Sequence, residues 1–286
     1  MNSDRNLLKR LIRLYPVKLL KEEFGTTEVS DALYDEIINS NNAAIIKTFA
    51  YNNIDYTKQH IYLYILGTNF NQARFNQTTF PFTIIQQVKN AVGLSITISP
   101  VVDFSVVLSN QFEETVIKFN QPTIVTINNR HRIIKTTILE KNIGTYFDAT
   151  RRVLDVQKVH DEDETVQKII TYFANYNPII CDINRGIKYL WANDRIDSKY
   201  AKWKKNRSTT TEAMDENYTL KSQYPDVYRS VMSSPLNKTI FKYLIEDENF
   251  PDHFTADPTN GELSIPLYSK NLNQIPNVIN EILSNN

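Results

Sequence analysis

A chain of 286 residues with 41% hydrophobic residues can bury one large or two modest cores, which excludes a disordered or collagen-like polymer. Its 32 Lys and Arg balance 32 Asp and Glu, so no uniform positive coat is expected. Six glycines, about 2% where roughly 7% is usual, nowhere lie within four residues of one another, which excludes the glycine-rich cradles of dinucleotide folds, P-loops and kinases.

Residues 1–56 read as an N-terminal helical region of three or four short helices. Leu7, Leu8, Leu11, Ile12 and Tyr15 form one apolar stripe, and Val29, Leu33, Ile37 and Ile38 another. The charges among the first of these interrupt any signal-peptide core, so secretion is not expected and the stripe is read as docking on the protein. A turn at Gly25 between two helices resembles a helix-turn-helix. Glu28, Asp31, Asp35 and Glu36 on the second helix would be repelled by DNA phosphates, so a plain helical hairpin is the better reading.

From 57 to 141 the period changes to two, and an antiparallel meander is expected. His60–Leu66, Phe82–Val88, Leu94–Ile98, Val102–Leu108, Thr115–Phe119, Thr123–Ile127 and Arg132–Leu139 are the strand candidates. Asn128-Asn129 predicts a hairpin between the last two, because Asn tolerates left-handed conformations.

Residues 142–286 form a mixed helical and strand region that is compatible with being one continuous fold with 57–141. Glu164–Tyr176 has a helical stripe with a stop at Asn177-Pro178, and 179–183 suggests a short strand. Arg185–Trp191 fits helix or strand. Thr209 and Glu212 have capping-box spacing, which predicts a helix from there to about Leu220. Strands at Thr239–Ile245 and Glu262–Tyr268, a turn over 257–261 and a C-terminal helix with Pro276 in its first turn complete the chain. The fold class is α+β.

Charge is uneven. Between Arg185 and Arg207 eight basic residues stand against Asp194 and Asp197, whereas Glu212 to Lys270 holds ten acidic and five basic residues. Lys199, Lys202, Lys204, Lys205 and Arg207 would neutralise phosphates, Trp203 would stack on a base or sugar, and Thr209 would open a helix N-terminus attractive to anions. The ordinary alternative is a solvated basic loop that pairs with the acidic C-terminal third, with Trp203 in the core.

A second constellation, Asp182 with Asp197 and Lys199, has the loose spacing of a divalent-metal nuclease in which two acids hold the cation and the lysine orients water. None of His60, His131, His160 and His253 has a second His at ligand spacing, so no resident metal or cofactor is expected. The run from His160 to Glu164 reads as a solvated acidic helix start, and Cys181, the single cysteine, as an inert buried thiol in a reducing compartment. No apolar stretch approaches the roughly 20 residues of a membrane span.

The expected function is a non-enzymatic cytoplasmic binding or assembly protein. Its 185–211 segment would contact a polyanion such as nucleic acid, or an acidic protein surface. The alternatives are the nuclease and a structural subunit that self-associates through its opposed charges.

Overall fold

The computed structural model describes residues 3–89, 93–108, 114–139, 153–158, 162–205, 208–213 and 219–286, with only the backbone path described at 3, 106–108, 114–115, 153–158, 199–205 and 208–213. The N-terminal layer consists of α1 (Ser3–Ile12), α2 (Val17–Phe24), α3 (Ser30–Ser40) and α4 (Ala43–Asn52). They close on Leu11, Ile12, Leu33 and Ile37 from the stripes visible in the sequence, together with Leu20 and Phe49, while Val29 of the second stripe is exposed. Asn42 caps α4 by accepting from the Ile45 N–H at 3.0 Å, satisfying one of the free amides of its first turn.

Fourteen strands follow among the described residues: β1 (Gln59–Leu66), β2 (Gln86–Lys89), β3 (Leu94–Ile98), β4 (Val101–Leu108), β5 (Glu114–Asn120), β6 (Thr123–Ile127), β7 (His131–Thr137), β8 (Val153–Lys158), β9 (Pro178–Ile180), β10 (Ile196–Lys205), β11 (Ser208–Ala213), β12 (Thr239–Tyr243), β13 (His253–Asp257) and β14 (Glu262–Ile265). The later helices are α5 (Glu162–Tyr172), α6 (Asn184–Ala192), α7 (Leu220–Gln223), α8 (Pro225–Ser233) and α9 (Gln274–Ser284). The protein is α+β, as expected. The main sheet runs β11-β10-β12-β13-β14-β1-β7-β6-β3-β2, every pair antiparallel. β4 and β5 leave it and join β8 in a second sheet ordered β5-β4-β8.

β1 organises the main sheet. On one side it pairs with β7 along its length, and on the other β14 takes Gln59–Tyr62 while β9 takes Tyr64–Leu66. Strands from 57–141 and from 142–286 therefore share one sheet. Alternation along β1 separates two cores. Ile61 and Leu63 face Phe241, Phe254 and Leu263, covered by Trp191 of α6 and Ile275, Val278 and Ile282 of α9. Tyr62, Tyr64 and Leu66 face the other way with Ile96, Val125 and Ile134, beneath Val166, Ile169 and Ile170 of α5 and Phe173.

Gly186 and Gly261 are among the glycines that close approach requires. A Cβ on Gly186 would lie 2.3 Å from the Ile282 carbonyl oxygen, so α6 and α9 meet backbone to backbone there. Gly261 has φ +63° in the β13–β14 turn and would bring a Cβ to 2.6 Å from the Cys181 carbonyl oxygen.

The helix expected from Thr209 is not formed. Ser208–Ala213 is β11, laddered onto β10 from Lys205↔Ser208 to Tyr200↔Ala213. Three consecutive threonines favour a pleated strand, and a partner strand outweighs a capping-box spacing. The capping box is instead at Thr219 and Ser222, which starts α7. Among the described residues no helix is long and apolar enough to cross a membrane.

Candidate functional site

β10 begins on a buried anchor and ends, beyond its ladder to β12, as an arm laddered to β11. Asp197, 1% exposed, accepts from Trp191 Nε1 at 3.0 Å and from the Leu220 N–H at 3.3 Å, tying β10 to α6 and α7. Burial pushes its carboxyl above the usual aspartate range, opposed by the bonds from Trp191 and from the Ser198 and Leu220 amides. The ladder to β12 runs from Ile196↔Tyr243 to Tyr200↔Ile240, with a bulge between Ser198 and Tyr200 that contains Lys199. Beyond Tyr200, positions 201–205 are paired with β11 alone among the described residues.

The arm carries most of the basic residues singled out in the sequence. Strand alternation places Lys202 and Lys204 on one face, opposite Thr211 and Thr209, and Trp203 and Lys205 on the other, opposite Thr210 and Ser208. Thr209 is thus a strand position beside Lys204, which corrects its expected place at a helix N-terminus. Arg207 lies outside the described residues.

Asp182 and Asp197 lie at opposite ends of α6. Asp182 is exposed in the turn before the helix, where its Oδ1 accepts from the Asn184 backbone and side-chain amides at 2.8 Å. Lys199 follows the anchor in the β10 bulge. Among the described residues no three His, Cys, Asp or Glu side chains gather as a metal-ligand set. Cys181 is buried, its thiol pushed up by desolvation and by nearby Asp182.

A polar pocket that sequence reasoning missed lies where α5 meets β1. Glu162, expected in a solvated helix start, is 8% exposed. His60 Nδ1 lies 2.6 Å from its Oε1, the Tyr62 hydroxyl donates to that same oxygen at 2.6 Å, and Gln121 Nε2 donates to Oε2 at 2.9 Å. His60 and Tyr62 share a face by strand alternation, which was legible, but their acceptor a hundred residues away was not. His160 and Asp161 lie outside the described residues. The cavity is about 110 Å³, and Lys238, Asp257 and Glu262 also line it. Burial, with Asp257 and Asp163 nearby, raises the Glu262 carboxyl above its usual range. Burial and Glu162 hold the Tyr62 hydroxyl protonated. The pocket's size suits water or a very small polar molecule.

A larger cleft, about 620 Å³, opens where β12 ends. Its lining includes Tyr243 and Phe250, whose rings stand 4.6 Å apart. Arg195 lies over both rings, at 5.9 and 5.3 Å, while its Nε donates to Glu281 Oε1 at 2.9 Å. Glu281 Oε2 also accepts from the Tyr243 hydroxyl at 3.1 Å. Exposed Glu246, Asp247 and Glu248 form the acidic rim, and exposed Ile245 stands beside them. Comparison with protein-family models, with curated proteins and with solved structures finds no match to this chain.

Proposed function

We propose that the chain is a cytoplasmic binding or assembly protein that contacts an anionic surface through the β10–β11 arm. The observation that supports this is the arm's construction. Lys202, Lys204 and Lys205 occupy the part of β10 that β12 leaves unaccompanied, at the end of the main sheet. β11 is the terminal strand of that sheet among the described residues, so one side of it offers backbone donors and acceptors besides the lysine charge. The hydroxyl positions opposite the lysines add further donors. Because the lysines divide between two faces, the arm suits a partner that embraces it or a groove that receives it better than a flat surface.

The test is a fluorescence-polarisation titration of labelled mixed-sequence single- and double-stranded DNA, RNA and polyglutamate across salt, with wild type and a Lys204→Glu/Lys205→Glu variant. Binding that weakens steeply with salt and is lost in the variant supports the reading. No binding to any probe at low salt, or binding that the variant leaves unchanged, overturns it. Magnesium in a parallel titration, with the probes checked for shortening on a gel, would reveal cleavage.

A further inference from the structure

The arm and the acidic cleft sit at opposite ends of the same strand. β10 begins beside the cleft, where Ile196 pairs with Tyr243, and runs away from it to Lys205. Nine residues at about 3.3 Å each place Lys205 roughly 30 Å from that end, so an extended arm cannot fold back into its own cleft. The cleft is left with negative charge to be met. Glu246, Asp247 and Glu248 are exposed and form no ion pair among the described residues, whereas Asp252 is matched by Lys270 at 3.0 Å. Lys242 is the other cation in the lining.

The cleft is more than an acidic rim. Its volume, about 620 Å³, lies within the roughly 300–1,000 Å³ of clefts that seat discrete groups, and its lining combines Tyr243 and Phe250 with Ile245, which is 62% exposed. An apolar wall beside carboxylates fits a segment that carries both aliphatic stems and cationic heads, as lysine does. Three lysines within four residues of the arm face three consecutive carboxylates of the cleft in number and sign.

We propose that the arm of one copy of this chain docks in the Glu246–Glu248 cleft of a second copy. The proposal rests on the reading of the arm as an anion-contacting element and names its anionic surface. Each copy carries one arm and one cleft, two unlike patches that complement each other, which is the condition for a heterologous contact. The contact is mainly exposed charge, so it weakens as salt rises.

The experiment is sedimentation velocity over a wide range of protein concentration at low and high salt. The samples are wild type, the arm variant Lys204→Glu/Lys205→Glu, the cleft variant Glu246→Lys/Glu248→Lys and an equimolar mixture of the two variants, with circular dichroism confirming that each is folded. Wild type should associate at low salt and dissociate at high salt. Each variant alone should be monomeric, since like charges then oppose one another, and the mixture should associate again. A monomeric wild type at low salt, or a mixture that stays monomeric, overturns the proposal. If labelled nucleic acid or polyglutamate still binds wild type through the arm, only the partner is wrong. If neither self-association nor probe binding occurs, the reading of the arm falls with it.

Discussion

His60 Nδ1 and Glu162 Oε1 meet at 2.6 Å across 102 residues of chain, joining the central strand of the main sheet to the first turn of α5. The same carboxylate receives Tyr62 and Gln121, so its removal strands several donors at once, Gln121 buried and His60 and Tyr62 partly so. Each buried donor left without a partner costs about 1–3 kcal/mol. Glu162→Ala should therefore lower stability by about 3 kcal/mol or more in urea unfolding, whereas Tyr62→Phe, which deletes a single donor, should cost about 1 kcal/mol. A loss below about 1 kcal/mol for Glu162→Ala would show that the cluster does not hold α5 to the sheet.

Arg132 is buried between Phe70 and Phe173, its guanidinium carbon 4.7 and 4.2 Å from the ring centroids. Nη1 donates to the Asn128 and His131 carbonyl oxygens at 2.7 Å, but Nε and Nη2 have no partner among the described residues. Desolvation pushes its pKa down to about 10, which leaves it charged at neutral pH. Replacing a buried charge by an apolar group of similar shape is often neutral or stabilising. Arg132→Met should hold or raise the Tm, and Arg132→Ala, which opens a void between the rings, should cost about 2 kcal/mol or more. A Met variant as destabilised as the Ala variant would show that the charge itself is needed.

At Gly186 the backbones of α6 and α9 come close. The 2.3 Å distance to a backbone oxygen leaves no flexible atom to give way, so Gly186→Ala must part the helices. Overpacking of this kind typically costs about 1–3 kcal/mol. Gly186→Ala should lower the Tm, and an unchanged Tm would mean that the two helices are free to separate.

His131 supplies a pH test. Burial first, and then Arg130 and Arg132, lower its pKa in the folded chain. The unfolded chain then binds a proton more readily than the folded one, so stability is full above the ordinary histidine pKa of about 6.5 and is lost as pH falls below it. His131→Gln should flatten unfolding free energy measured from neutral pH down through that range. An unchanged slope would assign it to other groups.

What could be read from the sequence follows from how local the signal was. Leu94–Ile98 and Thr123–Ile127 were expected with the bounds they have, because alternation is intrinsic to a strand with one face on a core. The Asn128-Asn129 turn was legible for the same reason, since β6 and β7 pair directly across it. β10 was not legible: lysines at 199, 202, 204 and 205 hide its alternation behind charge, and its pairing with β12 joins segments about forty residues apart. The departure of β4 and β5 into a second sheet, and the burial of Glu162, likewise depend on partners that no local window contains.

The place of β1 between β7 and β14 has a consequence during synthesis. β7 emerges from the ribosome soon after β1, but the strand that covers the other edge of Gln59–Tyr62 is made some two hundred residues later. For that interval the nascent chain carries an open strand edge able to pair with a neighbour on the same message. The long wait also makes closure of the sheet around β1 a non-local event, and therefore a slow one.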